Sequence, residues 1–370
     1  MKSRDLEKAG AMPRRRGFSL VELMVALAVS GILLFGIVQI YAASSATSQT
    51  QQAMSNVSSA AQFVKHELSD AFRHAGFSSC MESGNPNFME HAQQLGGFSY
   101  PPQAIDGVDD GTDGAFWPGN APGDAQSNES AVRVHYVASG ALPVDASTLN
   151  KGANFKLDSS AKGSLGAINQ GDVFRVSDCQ NVHVLRRTNV AKTLTITHAK
   201  KGSNSKGKSK AAFGNNPHTW QKIAQLKPGS GHIPTKSSNP HVSKDVAFTY
   251  FIANNPRQNP ALYRRNALGV GASDQEIVEN VEALGIEYGV TQTGNDNVDA
   301  YQTAAAVDAS NAWEDVRAIR FTAVVRSEPV LAEQKTYNIS VPSANDVQET
   351  DKRIRETVVT TVMLRNRVNE

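Results

Sequence analysis

One carboxylate lies near the start of a long apolar stretch in this 370-residue chain. The stretch runs from Phe18 to Tyr41, and Glu22 is its only acidic or basic side chain. An ionised side chain inside a bilayer helix costs roughly 2.5–3.5 kcal/mol on insertion scales, so such residues are usually retained where something pairs with them. The chemistry expected of Glu22 is therefore an ion pair with a cationic group, and the sequence must supply that group.

The segment that carries Glu22 is long enough to cross a membrane. Its 24 residues would form a helix of about 36 Å, which exceeds a hydrocarbon core of about 30 Å. Residues 1–17 carry six basic and two acidic side chains, so the positive-inside rule predicts a cytoplasmic N-terminus. The alternative is a secretory signal removed near Ala42, but the apolar part of such signals runs only roughly 7–15 residues.

The helical pattern continues beyond the apolar stretch, because residues 14–85 contain no proline. Apolar residues then recur at helical spacing, namely Val64, Leu68, Ala71, Phe72 and Ala75. Charged residues are assigned to the other side, namely Lys65, Glu67, Asp70 and Arg73. The sequence predicts one helix from about Phe18 to His74, roughly 85 Å long, whose second half buries one stripe against a globular body.

The remainder of the chain predicts an α+β body with an antiparallel sheet. Strand patterns occur at Ala131–Val137, 172–176, Thr193–Thr197, Asp245–Ile252, 284–290 and 316–327. In the last of these, Ile319, Phe321, Ala323 and Val325 alternate with more polar residues, which predicts a half-buried strand. The segment Asp274–Ala283 is predicted to be a short helix with Asp274 as its N-cap.

The stretch Gly17-Phe18-Ser19-Leu20-Val21-Glu22, after a basic leader, resembles the processing site of type IV prepilins. The resemblance implies that a prepilin peptidase cuts after Gly17 and methylates Phe18 as the new N-terminus. The new amine, with a pKa of about 7.7–8 in model compounds, would be the cation that pairs with Glu22 of a neighbouring subunit and sets their axial register. An ordinary single-span anchor with a stray glutamate is the alternative.

Later stretches resemble the PilW family of minor pilins. They are "RHAGFSSC" (73–80), "GDVFRVSDCQ" (171–180), "ALYRR" (261–265), "IVENVEALGIEYGV" (277–290), "WEDVRAIRFTAVVRS" (313–327) and "MLRNR" (363–367). The resemblance implies a type IV pilin fold, in which a long N-terminal helix packs on an antiparallel sheet. It also implies other minor pilins, the major pilin, an inner-membrane assembly platform and possible tip adhesins as partners.

The two cysteines, Cys80 and Cys179, fit an exported protein with one disulfide. Such a bond would close a loop of about 100 residues and constrain the unfolded chain by roughly 4–5 kcal/mol in the entropy model. Two unrelated buried thiols are the alternative. Neither cysteine has the spacing of a zinc or redox motif.

Two charged segments have both a functional and a structural interpretation. Lysines occupy five of the eleven positions 200–210, namely Lys200, Lys201, Lys206, Lys208 and Lys210, in a Gly- and Ser-rich insertion at 199–243. They could contact a polyanion, but no aromatic side chain lies among them and the net charge of +2 does not favour a nucleic-acid partner, so a solvated loop is the preferred interpretation. The acidic stretch 106–114 lacks the ligand spacing of a calcium loop and predicts a turn.

The sequence thus predicts four parts, a cleaved cytoplasmic leader (1–17), a membrane and assembly segment (18–43), the exported half of the helix (44–76) and a globular domain (77–370). We expect a non-enzymatic minor pilin without cofactors, held in the bacterial inner membrane with its body in the periplasm and then in the pilus. In that role it would join a complex that primes pilus assembly for twitching motility and adhesion. The alternatives are a minor pseudopilin of a type II secretion system and a pilus-displayed adhesin or DNA receptor.

Overall fold

A computed structural model describes most of the chain. The described residues are 19–78, 88–92, 103–117, 121–149, 152–190, 193–200, 215–216, 239–268, 274–292 and 297–367. Two α-helices lie in this part, α1 (Leu20–His74) and α2 (Ala304–Ala309). Short 3-10 helices lie at Ala146–Thr148, Ser159–Ala167, Trp313–Asp315 and Arg365–Arg367.

Strands make up most of the rest of the described chain. In chain order they are β1 (Phe88–Glu90), β2 (Ile105–Val108), β3 (Ala131–Val137), β4 (Leu142–Asp145), β5 (Asn154–Leu157), β6 (Val173–Ser177), β7 (Val182–Arg186), β8 (Thr195–Thr197), β9 (His241–Asn254), β10 (Pro260–Asn266), β11 (Asp274–Glu279), β12 (Val281–Val290), β13 (Ala300–Gln302), β14 (Val316–Arg326), β15 (Lys335–Ile339), β16 (Val347–Asp351) and β17 (Arg355–Met363).

The strands form two sheets and a hairpin. The larger sheet has the order β1-β7-β6-β9-β4-β5-β8, with β3 and β10 also pairing with β9, β2 with β3, and β11 with β10. The smaller sheet has the order β13-β12-β14-β17, and β15 pairs with β16. Every pairing between the strands is antiparallel except that of β1 with β7. The predicted class, a long helix with an antiparallel body, is confirmed.

Helix α1 is continuous through the end of the apolar stretch, as the absence of proline predicts. Its 55 residues span about 82 Å. Only its second half is buried, at Ala53, Val57, Ala61, Val64, Leu68, Ser69, Ala71 and Phe72. The predicted stripe is therefore confirmed, and it begins three turns earlier than predicted.

The main core lies between the second half of α1 and the smaller sheet. Phe72 meets Phe321 of β14 edge to face, with ring centroids 5.8 Å apart. Val358 and Val362 of β17 belong to the same buried cluster, as do Val132 of β3 and Tyr250 of β9. Each fully buried Leu or Phe in such a core stabilises the fold by about 1.5–3 kcal/mol.

Two sequence predictions about strands were wrong. Asp274–Ala283 is not a helix, because β11 pairs with β10 and Asn280, at φ +65°, separates β11 from β12. Asp274 forms an ion pair with Arg265 at 2.5 Å instead of capping a helix. Strand β14 is buried on both faces, because Val324 packs against Val341 and Val347 from the β15–β16 hairpin region.

A lobe between β3 and β9 in the chain extends the larger sheet beside the first residues of β9. Strands β4 to β8 fall within this interval, while β3 and β9 pair directly with each other. The lobe has its own buried cluster, which includes Leu142, Phe155, Phe174 and Ile196. No residue of α1 belongs to that cluster, so the lobe does not contribute to the core that holds the helix.

The projecting helix and its anchor as a candidate assembly site

The first half of α1 projects from the body with its apolar side chains in solvent. From Leu20 to Gln52 no side chain of the helix is buried, and large residues such as Ile32 (74 %) and Ile40 (72 %) are mostly exposed. This half is long and apolar enough to cross a membrane, by length and composition, and no residue of the apolar window is buried. A helix that is apolar on all sides requires lipid or other helices around it.

Glu22 lies in the first turn of this projecting half. The turn begins with the Leu23 amide donating to the Ser19 carbonyl at 3.0 Å. Val21, Val25 and Ala26 surround Glu22 on the helix surface. Among the described residues Glu22 has no hydrogen-bonding or ionic partner, so the carboxylate is available to a group from outside the described chain. Gly17 and Phe18, the predicted cleavage and methylation site, lie outside the described residues.

A charged contact holds the second half of α1 to the larger sheet. Glu67 accepts hydrogen bonds from Arg264 Nη1 and from the Tyr250 hydroxyl, both at 2.9 Å. The Glu67 and Arg264 side chains are 23 % and 25 % exposed, so the pair is partly shielded from water. Arg264 also lies over the Phe248 ring at 4.6 Å, and burial raises the pKa of Tyr250. The contact fixes the rotation of the helix on the body.

The placement of Glu67 corrects the sequence analysis, which assigned it to the solvent side of α1. Lys65, Asp70 and Arg73 are exposed as predicted, whereas Glu67 lies at the border of the buried stripe. Its partner Arg264 lies in the "ALYRR" stretch, 197 residues away in sequence. The only sequence signal was an arginine pair in a strand pattern, which does not identify a helix residue as its partner.

The end of α1 is held by the C-terminal segment. Asn366 Nδ2 donates to the carbonyls of Arg73 (3.3 Å) and Ala75 (3.1 Å), which the helix itself leaves without partners. Gly76 adopts φ +77°, and a Cβ atom there would lie 3.2 Å from Ala104 Cβ. The stretches "RHAGF" and "MLRNR", which are far apart in the sequence, therefore meet in one capping structure.

The other stretches that resemble pilins build the support beneath the helix. Tyr288 of β12 is fully buried and meets Trp313 edge to face at 5.0 Å. The segment between β15 and β16 passes over β12 at Gly285. A Cβ atom on Gly285 would lie 1.9 Å from the Pro342 carbonyl oxygen of that segment, so only glycine fits at this position. Tyr288 and Gly285 lie on β12, and Trp313 lies just before β14. Strands β12 and β14 are the two central strands of the smaller sheet.

The acidic stretch 106–114 covers the end of β2 and the turn that follows it, and each of its carboxylates accepts a hydrogen bond from the chain. Asp106 pairs with Arg133, and Asp109 accepts from the amides of Ala304 and Ala305 at the start of α2. Asp110 accepts from the Thr112 hydroxyl at 2.7 Å and from the Thr112 amide at 2.9 Å, and these two bonds lower its pKa. The stretch therefore joins β2 to the body and helps to position α2.

The cysteine and lysine predictions fall largely outside the described residues. Cys179 lies just after β6 with φ +64°, whereas Cys80 is not described. Of the five lysines, Lys200 lies at the end of the described segment 193–200, and Lys201, Lys206, Lys208 and Lys210 are not described. The disulfide and the polyanion contact stay predictions.

Comparison with known proteins gives two family matches. Residues 12–38 match the prokaryotic N-terminal methylation motif, and residues 249–366 match PilW, the type IV pilus-assembly protein W. Among solved structures, a type IV-like pilin from Thermus thermophilus aligns over 34 % of this chain and 70 % of its own, with 14 % identity and a TM-score of 0.21. No curated protein matches the chain.

The two family matches lie in two different parts of the molecule, the start of α1 and the C-terminal part of the body. The methylation motif includes Glu22 and most of the apolar stretch, and the PilW match extends from the middle of β9 to Asn366, which caps α1. The chain therefore carries the prokaryotic N-terminal methylation motif near its start and, over residues 249–366, a segment that matches the PilW type IV pilus-assembly proteins.

Proposed function

We propose that this protein is a minor pilin that is cut between Gly17 and Phe18, methylated on Phe18 and inserted in a complex that primes type IV pilus assembly. The observation that carries the proposal is the division of α1 into an exposed apolar half and an anchored half. The exposed half needs lipid before assembly and other helices afterwards. The anchored half keeps the body at a fixed position and rotation relative to those helices.

Glu22 sets the axial register between subunits in this proposal. Cleavage creates an amine on Phe18, four helical residues or about 6 Å from Glu22 of the same chain. A neighbour that is offset along the helix axis brings its amine to this carboxylate. Pairing in the assembled bundle offsets the cost of placing Glu22 in an apolar environment.

The basic leader orients the protein in the inner membrane. Its arginines and lysines remain in the cytoplasm, where the prepilin peptidase removes them, and the body from the end of the apolar stretch onward lies in the periplasm. The partners are other minor pilins, the major pilin and the assembly platform. The proposal also includes a position at the pilus tip and a contact between this protein and an adhesin.

A Cys80–Cys179 disulfide also belongs to the proposal. The Val137 amide donates to the Phe77 carbonyl at 2.7 Å, which places the chain just before Cys80 beside β3. Strand β3 pairs with β9, and β9 pairs with β6, which precedes Cys179. A mobility shift between reduced and non-reduced full-length protein on denaturing gels tests this bond.

The proposed function is tested by counting surface pili in a strain that lacks the gene. Sheared fibres are quantified by immunoblotting the major pilin, with complementation by wild type, by Glu22→Ala and by Glu349→Ala, an exposed glutamate on β16 that serves as the control. We expect loss in the deletion strain, restoration by wild type and Glu349→Ala, and weak restoration by Glu22→Ala despite normal cleavage. Unchanged pili in the deletion strain would instead support the secretion pseudopilin or the displayed receptor.

A further inference from the structure

The outer edge of β17 differs from the other strand edges of the body. Strand β17 is the last strand of the smaller sheet and pairs with β14 at nine consecutive positions without a register shift. In the described part of the chain β14 is its only strand partner. Within the described residues, the backbone groups on its other side are therefore available to another strand.

The sequence of β17 lacks the usual protection of an edge strand. Strand β17 begins with the charged Arg355 and Glu356, but its last seven residues, 357–363, read TVVTTVM, of which six are β-branched and none is charged, proline or glycine. By contrast, the β11 edge carries Asp274, Glu276 and Glu279 within six residues, and β13 at the opposite edge of the same sheet has only three residues. Proteins normally shield a long, regular, uncharged edge, so this one is suited to a partner strand.

The side chains beside this edge are apolar and exposed. Val359 is 61 % exposed and Met363 is 45 % exposed, and the exposed Thr361 lies between them on the same face. Apart from Phe77, these are the only large apolar side chains of the described body outside α1 that are exposed to this degree. The partner should therefore present an uncharged strand with small or apolar side chains on that face.

The position of β17 indicates where the partner comes from. Val358 and Val362, on its opposite face, belong to the same core as Leu68 and Phe72 of α1. A subunit that packs along α1 therefore comes close to the β17 edge.

We propose that β17 pairs with an edge strand of a different pilin-type subunit, so that the smaller sheet continues into that neighbour. This inference rests on the proposed function, because it takes the neighbour to be another subunit with the same kind of N-terminal helix. The helices fix the axial position of the two subunits, and the strand pairing selects which neighbour is adjacent. Main-chain hydrogen bonds supply the affinity, and Val359, Thr361 and Met363 supply the specificity.

The first experiment places charge on the edge. Lysines at Val359 and Thr361 (Val359→Lys with Thr361→Lys) block strand addition while facing solvent, and Gln348→Lys with Thr350→Lys, at the same spacing on exposed β16, is the matched control. We expect the edge variant to fall about tenfold in the sheared-fibre fraction, and the control to remain within about twofold. Equal incorporation of the two variants would overturn the inference.

Two measurements exclude a folding defect and identify the neighbour. Membrane level, processed size and protease resistance of the edge variant must match wild type, and a variant with Thr361→Lys alone replaces it if they do not. A photo-crosslinking residue is then placed at position 359 or, as control, at 348 in the full-length protein, and adducts are analysed in the membrane fraction before fibre growth.

An adduct specific to position 359, mapped to an extended segment of another subunit with the methylation motif, would support the inference. An adduct with a second copy of this chain, no adduct, or equal adducts at both positions would overturn it. Because the adduct is read in the membrane fraction, the result stands apart from the pilus count. Unchanged pili in the deletion strain would reject the proposed function even if the adduct formed.

Discussion

The two halves of α1 have the same backbone structure and opposite surroundings. From Leu20 to Tyr41 the helix is apolar on every side and exposed, whereas from Ala53 to His74 it is apolar on one stripe and that stripe is buried. The comparison teaches that the distribution of apolar residues around the helix, and not its helicity, determines the partner. A full circle requires lipid or other helices, and a stripe requires the body's own sheet.

The largest expected effect comes from blocking cleavage after Gly17, which would keep the projecting half of α1 from taking part in assembly. We expect Gly17→Leu to leave an uncut precursor in the membrane, because the proposed cut follows Gly17 and a bulky side chain would replace the glycine that the resemblance to prepilins implies is required there. Without cleavage no amine forms on Phe18 and Glu22 has no cationic partner. Immunoblotting for precursor and mature sizes measures the effect, with Ala11→Leu in the leader as the control. Mature-sized protein in the Gly17→Leu strain would contradict the assigned cleavage site.

The next prediction breaks the anchored half. Phe72 is fully buried, whereas Phe63, on the solvent side of the same part of the helix, is 50 % exposed. We expect Phe72→Ala to lower the free energy of unfolding by about 3–5 kcal/mol, because it leaves a cavity against Phe321. Phe63→Ala is the matched control and should change it by less than about 1 kcal/mol. Thermal unfolding of the full-length protein in detergent measures both, and similar losses would contradict the burial of a single stripe in the anchored half of α1.

A third prediction concerns the body and leaves α1 unchanged. Glu129 is 2 % exposed and accepts a hydrogen bond from the Leu284 amide of β12 at 2.7 Å. Burial raises the pKa of Glu129 from 4.5 to about 7. The unfolded state releases this proton above pH 4.5 and the folded state only near pH 7, so this group favours the fold less as pH rises between those values. The loss is at most about 3 kcal/mol.

Comparison of wild type with Glu129→Gln measures this effect, because glutamine still accepts the Leu284 amide and does not ionise. Only the difference between the two proteins is informative, since burial lowers the pKa of His91 to about 3 and that residue costs stability as pH falls below 6.5. We expect the gap in melting temperature to change steadily from pH 4.5 to 7 and then to level off. A gap that does not vary with pH would contradict the raised pKa.

Local sequence patterns predicted the elements of this fold, but they did not predict the pairings between residues that are far apart in the sequence. The bounds of β3 and the end of α1 at His74 follow directly from alternation and helical spacing. The segment 274–283 was misassigned because "DQEIVENVEA" is compatible with both periods, and only pairing with β10 and the turn at Asn280 decides between them. The buried outer face of β14 depends on a hairpin that follows it in the chain.

The anchor of α1 illustrates the same limit within the candidate site. Glu22 could be recognised from sequence because its apolar surroundings are local, but Glu67 could not. Its surroundings come from Tyr250 and Arg264, 183 and 197 residues away. A charged residue one position from a buried stripe is normally solvated, and only tertiary structure shows that this one is paired.

The smallest expected effect tests whether Glu67, at the border of the buried stripe of α1, helps to hold the helix to the body or is an ordinary surface residue. Glu67→Gln keeps one hydrogen-bond acceptor but removes the charge that holds Arg264, and Asp70→Asn, at an exposed site one turn away, makes the same chemical change. We expect Glu67→Gln to lower the free energy of unfolding by about 1–2 kcal/mol, because hydrogen bonds to charged groups contribute about 1.5–3 kcal/mol and the pair is partly hydrated. Asp70→Asn should lie within about 0.5 kcal/mol of wild type. The double variant Glu67→Gln with Arg264→Met then separates the pair from the individual residues, since a true pair makes its loss smaller than the sum of the two single losses. Additive losses would show that Glu67 acts as an ordinary surface residue and that the apolar stripe alone sets the rotation of the helix.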